Sequence, residues 1–272
     1  MQEPYTTLRW KRLLLTGAGG NLGRVLRPRL RRYCGVLRVS DVVQLGPPEA
    51  SEEVVLARLE DAAAVNELLR EVEAVVHLGG VSTEQPWSVI APANIHGAVH
   101  LYEAARQQGV RRIVFASSNH VIGFYRQHEV IDATVRKRPD GFYGLSKAFG
   151  EDLAQLYWDR FGIETVSLRI GSSFPEPKDR RMLSTWLSYD DLERLVVAAL
   201  SAPDVGHTIV YGASDNVSSW WDNTAARHLG WRPRDSSEPF RAAVEARDGP
   251  IDRNDPAKLH QGGGFVTTPL RL

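Results

Sequence analysis

Thr16-Gly17-Ala18-Gly19-Gly20-Asn21-Leu22-Gly23 is the stretch that decides the fold. It follows the apolar run Arg-Leu-Leu-Leu-Thr at 12–16 and precedes a segment in which Leu22, Val25, Leu26 and Leu30 recur at helical spacing. A strand therefore runs into a glycine turn that opens a helix. In such a unit Gly17 permits the tight turn, Gly20 lets the backbone approach a pyrophosphate, and Gly23 lets the helix pack close to the sheet. Asn21 and Leu22 start the helix, where unpaired N–H groups attract an anion.

Outward from this turn the same alternation repeats. Apolar β-type runs at 12–16, 36–40, 54–56, 74–78, 112–116 and 164–170 alternate with helical patterns. Six such runs predict an α/β fold, a Rossmann-type doubly wound parallel sheet. The longest helix is expected over Phe142–Phe161, with Leu145, Phe149, Leu153, Leu156 and Tyr157 as its apolar stripe and Gly162 as its stop. After Ile170 the regularity fades into Pro175, Pro177, a helix near 190–200, and a tryptophan-rich stretch at Trp220, Trp221 and Trp231, in which the indoles of Trp220 and Trp221 are expected to pack the core of the small lobe rather than stack on a sugar. The expected division is a dinucleotide-binding domain at 1–170 and a smaller substrate lobe at 171–272, together one unit.

Composition narrows the chemistry. Lysine plus arginine equals aspartate plus glutamate at 33 each, which leaves no global field for nucleic acid or an anionic membrane and favours a small-molecule substrate. The arginines at 24–32 interleave with an apolar stripe and are read as the wet face of the first helix. Cys34 is alone, and no Cys/His spacing offers a metal site, so no metal is expected. Residues 1–10 lack an apolar leader core, and no run approaches the ~18 apolar residues of a membrane span. A cytoplasmic protein is expected.

Asp41 follows the second strand, 18 residues after Gly23, where a carboxylate accepts from both adenosine ribose hydroxyls and repels a 2′-phosphate. The cofactor expected is NAD. Leu78-Gly79-Gly80 ends the fourth strand, and small residues there let a cofactor backbone lie across the sheet edge. Tyr143 and Lys147 stand four apart on one helix face. A nearby ammonium together with a cationic nicotinamide can lower a phenol from its usual ~10 until it serves as a base. Ser117-Ser118-Asn119-His120 ends the fifth strand, and Ser118 is taken as the third catalytic member.

The glycine pattern, the Ser118–Tyr143–Lys147 set and Asn94 in Ala-Asn-Ile-His-Gly resemble the extended short-chain dehydrogenase/reductase superfamily over residues 11–170. Ser-Ser-Asn-His at 117–120, Arg-Ile-Gly-Ser at 169–172, Arg-Met-Leu-Ser-Thr-Trp at 181–186 and Trp-Trp-Asp-Asn at 220–223 resemble, more narrowly, the uronate dehydrogenase family, over nearly the whole chain. The resemblance implies NAD-dependent oxidation of galacturonate or glucuronate at the anomeric carbon to an aldarolactone. It implies cofactor contacts at Leu59, Ser82, Asn94 and Ser173. Sugar contacts are implied at Ser82, Ser118, Asn119, His120, Tyr143 and Ser172, with Arg181 pairing the carboxylate. Helices of the 91–106 and Phe142–Phe161 type pair across twofold axes in this superfamily, which implies a homo-oligomer. Arg58-Leu59 departs from the family pattern, which usually places an aspartate before the apolar residue. The rival readings are a nucleotide-sugar epimerase or dehydratase and a non-catalytic NAD-sensing protein.

Overall fold

The computed structural model describes residues 10–250 and 252–272, and the polar N-terminal stretch lies outside them but for Trp10. The element order is β1 (Trp10–Thr16), α1 (Asn21–Leu30), β2 (Cys34–Asp41), β3 (Glu52–Leu56), α2 (Ala62–Leu68), β4 (Ala74–His77), α3 (Trp87–Ile90), α4 (Gly97–Gln108), β5 (Arg112–Ser118), β6 (Ile131–Asp132), α5 (Phe142–Phe161), β7 (Glu164–Ile170), α6 (Met182–Thr185), α7 (Tyr189–Ser201), β8 (His207–Gly212), β9 (Trp221–Asp222), α8 (Arg241–Asp248) and α9 (Pro256–Leu259).

Leu13, Leu14 and Leu15 of β1 are all fully buried, as a strand covered on both faces requires. Their alternation divides the core. Leu13 and Leu15 point into a cluster with Leu26 and Leu30 of α1 and Leu192, Leu195 and Val196 of α7. Leu14 points the other way, to Val65 and Leu68 of α2, Leu101 of α4 and Leu153 of α5. The main sheet is parallel, in the order β3-β2-β1-β4-β5-β7-β8. Strand order reverses between β1 and β4, so a crevice opens there at the carboxyl ends of the strands.

The sheet has seven strands where the apolar runs marked six. The addition is β8, His-Thr-Ile-Val-Tyr-Gly, whose polar ends hide a three-residue apolar centre. It pairs with β7 from Thr165↔His207 to Ile170↔Gly212, so the expected boundary at residue 170 falls between two hydrogen-bonded strands of one sheet. Beyond it, Trp221 stacks on Tyr211 with centroids 5.0 Å apart and donates to Gln261 Oε1 at 2.8 Å, and it joins a small core with Val121, Ile122 and Ile131.

α5 spans the expected residues and stops at Gly162, which takes a left-handed φ of 67°. Its buried face differs from the apolar stripe. Leu145 and Leu156 are 45% and 50% exposed, whereas Ser146, Lys147 and Glu151 are buried. The helix turns its ionisable residues inward because the site lies on that side. Of the α1 arginines, Arg24 is exposed as expected and Arg29 pairs with Asp190 at the surface, whereas Arg27 is only 16% exposed and packs against β3 through the enclosed Glu52. Among the described residues no helix is long and apolar enough to cross a membrane.

Candidate active site

A cleft of about 790 Å³ runs along the carboxyl edge of the sheet and is lined by the glycine turn, Asp41, Leu59, Leu78–Thr83, Ser118–His120, Tyr143, Lys147, Ser172, Ser173, Arg181 and Phe265. At one end Gly17 holds a φ of +69°, and a Cβ there would come within 2.7 Å of the Leu78 and Gly79 backbone. A Cβ on Gly23 would stand 2.1 Å from the Gly17 carbonyl, whereas Gly20 has nothing nearer than 3.3 Å. Gly17 and Gly23 are thus fixed by contacts inside the protein, and Gly20 faces the open cleft. No side chain caps the start of α1 at Gly20, which leaves first-turn N–H groups free for an anion.

Asp41 binds the glycine turn to the end of β2. Its Oδ2 accepts from Gly19 N–H at 2.8 Å, and Oδ1 accepts from Val42 at 2.7 Å and Val43 at 3.3 Å. Arg58 lines the open part of the cleft, paired to Glu60 at 2.8 Å with its side chain 70% exposed. Thr16 joins this end to the middle of the cleft: its hydroxyl accepts from Gly79 N–H at 3.1 Å and lies 2.7 Å from His77 Nδ1. Burial, with the charge of Lys147 adding to it, pushes His77 down to about 3 and keeps it neutral. The residues present fit a dinucleotide. They offer an uncapped helix start, a turn closed to side chains at Gly17 and Gly23 and open to the cleft at Gly20, the Asp41 carboxylate after β2, and the buried Ser173 hydroxyl, which has no partner among the described residues.

The first turns of α5 bring Tyr143 and Lys147 to the cleft beside Ser118, which closes β5. Burial pushes the Tyr143 phenol up to about 12. A hydrogen bond from Ser118 opposes the rise, and the charge of Asp140 adds to it. Burial also lowers Lys147 to about 8, and its Nζ lies 5.7 Å from the Tyr143 ring centroid. The phenol therefore stays above its ordinary value, because desolvation outweighs the Ser118 hydrogen bond that opposes it. The start of α5 is held from outside the helix. Gly141 provides no cap, and Glu84 accepts from Phe142 N–H at 3.1 Å and Tyr143 N–H at 2.9 Å.

Arg181 lines the far part of the cleft. Its Nε donates to the Gln261 carbonyl at 2.6 Å and Nη1 to Ser172 Oγ at 3.2 Å. With the Asn119 amide oxygen turned toward it, Nη2 donates there at 2.6 Å while the Asn119 amino group donates to the Ile170 carbonyl. All its partners are neutral, and among the described residues no carboxylate lies within ion-pair distance. Burial lowers its pKa, with the more distant Asp179 and Asp140 opposing.

One expected cofactor contact stands elsewhere. Asn94 does not line the cleft. Its Oδ1 accepts from Val81 N–H at 2.7 Å, and its amino group donates to the Val81 carbonyl and Ser146 Oγ, so its polar atoms are used up in bracing the loop after β4 against α5. Two residues of the site had escaped the sequence reading. Phe265 stacks on His120 with centroids 3.7 Å apart, and Asp140 contacts His120 Nδ1 at 2.7 Å. The one signal for Phe265 was the glycine triplet 262–264 before an aromatic; Asp140 sits in a polar loop with no spacing to mark it.

Residues 13–189 match the profile described as the NAD dependent epimerase/dehydratase family. The chain is 58% identical to a uronate dehydrogenase of Pseudomonas syringae pv. tomato, over 98% of each sequence. It superposes with a TM-score of 0.94 on the glucuronic acid dehydrogenase of Chromohalobacter salexigens, at 54% identity over 95% of this chain and 97% of that one. The same score holds for a mutant of Agrobacterium tumefaciens uronate dehydrogenase complexed with NAD, at 49% identity over 96% and 98%. A glycine turn at a helix start, a tyrosine–lysine pair and a guanidinium with neutral partners thus occur in a chain that belongs to the NAD dependent epimerase/dehydratase family and, within it, with the uronate dehydrogenases.

Proposed function

We propose that this chain is an NAD-dependent oxidoreductase that converts a free hexuronic acid, galacturonate or glucuronate, to its aldarolactone. The observation that carries this reading is Arg181, a guanidinium that lines the cleft with neutral partners only, in the same cleft as Tyr143 and Lys147. A bidentate ion pair with the substrate carboxylate would satisfy it and orient the sugar at once. Tyr143 takes the proton of the anomeric hydroxyl, and Ser118 hydrogen-bonds the same oxygen. The C1–H bond breaks with its electron pair leaving as hydride, and the C1–O bond becomes the lactone carbonyl. NAD, when bound, supplies the hydride acceptor and a positive charge that favours the phenolate.

Gly17, Gly20, Asn21, Leu22 and Gly23 take the pyrophosphate and Asp41 the adenosine ribose, with Leu59, Leu78, Gly79, Gly80 and Ser173 along the rest of the cofactor. Lys147 reaches the nicotinamide ribose. Ser82, Asn119, His120 and Ser172 face the sugar. The 171–272 segment acts as the substrate lobe, since Arg181, Ser172 and Phe265 all come from it. A cytoplasmic homo-oligomer completes the reading. Its support is the lone Cys34 and the exposed Val99 on α4 with Leu145, Leu156, Trp158 and Phe161 on the adjacent α5.

The test follows NADH absorbance with free uronic acids, the matching neutral hexoses and uridine diphosphate sugars. Galacturonate or glucuronate should be oxidised with kcat/KM at least about a hundredfold above galactose and glucose, and Tyr143→Phe should bind NAD yet lose roughly 10³-fold or more in turnover. Equal rates on neutral hexoses, or activity confined to nucleotide sugars, would overturn the assignment.

A further inference from the structure

Asp140 belongs to none of the roles above, yet it is built into the site. Its side chain is fully enclosed, and Oδ2 lies 2.7 Å from His120 Nδ1. Glycines wall the slot: a Cβ on Gly123 or on Gly262 would stand 1.9 Å from Oδ2, and one on Gly144 3.2 Å from Oδ1. Oδ1 is buried with no partner among the described residues. Among them, His120 is the one basic side chain within ion-pair distance of this carboxylate. The ring is fixed in the other directions too. Phe265 covers one face at 3.7 Å, Tyr143 meets its edge at 5.8 Å, and the His120 main chain donates to Ser118 Oγ at 3.1 Å.

A carboxylate is purely an acceptor, so the proton in this contact rides on Nδ1 of the imidazole. We infer that Asp140 is a positioning residue, which locks His120 in the tautomer with Nδ1 protonated and leaves the Nε2 lone pair to accept a hydrogen bond from a sugar hydroxyl in the cleft. This rests on the uronate reading and deepens it. A lone pair at Nε2 accepts a hydroxyl and repels a carboxylate, whereas the Arg181 guanidinium, which has no acceptor, does the reverse. His120 and Arg181 are therefore opposite in hydrogen-bond sense, and the pair sets which end of the sugar lies where. Since Asp140 also bears electrostatically on Tyr143, kcat mixes two effects, and uronate KM is the cleaner readout.

The experiment combines ¹⁵N NMR of His120 with kinetics of Asp140→Ala, His120→Gln and the double variant. In the cofactor-free wild type the spectrum should show a protonated Nδ1 and an unprotonated Nε2; an Nε2–H tautomer or a doubly protonated ring at the pH of assay would overturn the inference. Asp140→Ala should release the ring to the Nε2–H form and raise uronate KM about tenfold or more, with NAD KM within about twofold. In the His120→Gln background the same change should leave uronate KM unaltered, and additive losses would mean that Asp140 does not act through the ring. The wild-type spectrum needs no variant to fold and no turnover, so a protein that oxidised no uronate while showing the Nδ1–H tautomer would sink the functional reading and not the tautomer.

Discussion

Arg169, behind the edge of the sheet, and Arg181, on the wall of the cleft, carry the same charge in opposite circumstances. Arg169 is 1% exposed and grips Glu151 with two hydrogen bonds of 2.9 Å each, while its Nη1 donates to Tyr211 at 3.0 Å. Burial would lower its pKa, but the bonds and charge of Glu151 more than reverse this, and the value is raised. Arg181 has three neutral partners, burial dominates, and its value is lowered. One region is electrostatically closed and the other is left open on one side. The difference teaches where to look for a substrate anion: at the desolvated charge that the protein has oriented without neutralising.

The comparison breaks most visibly at Arg169. Arg169→Met leaves the buried Glu151 with only the Ser117 hydroxyl and the Lys137 ammonium at 3.5 Å, and is expected to cost on the order of 3 kcal/mol, a fall of roughly 5 °C in the melting temperature. The surviving folded enzyme should keep its uronate KM within about twofold. Arg181→Met should do the converse, with kcat/KM for uronate dropping roughly 10²–10³-fold and a melting temperature unchanged or slightly higher. If Arg181→Met melts far below the wild type, the guanidinium is structural and the contrast is false.

Lys147 sharpens the comparison as a third desolvated cation. Its folded-state pKa, about 8, lies below its ordinary 10.5, so between these values the unfolded chain binds more protons and the wild type gains stability as pH rises. Below about pH 8 the whole cost of the buried ammonium is present. Lys147→Met removes that cost and should stabilise the cofactor-free protein by on the order of 2–3 kcal/mol at pH 7, with the advantage shrinking toward pH 10. Melting curves of both proteins across this range would show it, and a constant difference would mean that Lys147 is not desolvated.

Much of the site was legible because it obeys local rules. The turn at 16–23 carries its constraints within a few residues, Asp41 follows a strand end, and Tyr143 and Lys147 are one helical turn apart. The parts that were not legible depend on distant segments. The buried face of α5 follows from what the cleft needs, not from apolarity, so Leu145 and Leu156 looked like core and are exposed. Asn94 carries a family signature, and only its three hydrogen bonds reveal that it braces a loop. Phe265 reaches His120 from far along the chain, with no periodicity to announce the contact.

By itself the sequence determined the parallel α/β plan, the dinucleotide turn and the tyrosine–lysine pair, because strand alternation, glycine geometry and helical spacing act between near neighbours. Only the tertiary structure decided which arginine is neutralised, which carboxylate holds His120, and how the C-terminal segment closes on the site. Those outcomes depend on desolvation and on contacts between separate elements, some between neighbours in sequence order, as with Arg169 and Glu151 or His120 and Asp140, and some across more than a hundred residues, as in the Gln127–His260 hydrogen bond and the His120–Phe265 stack.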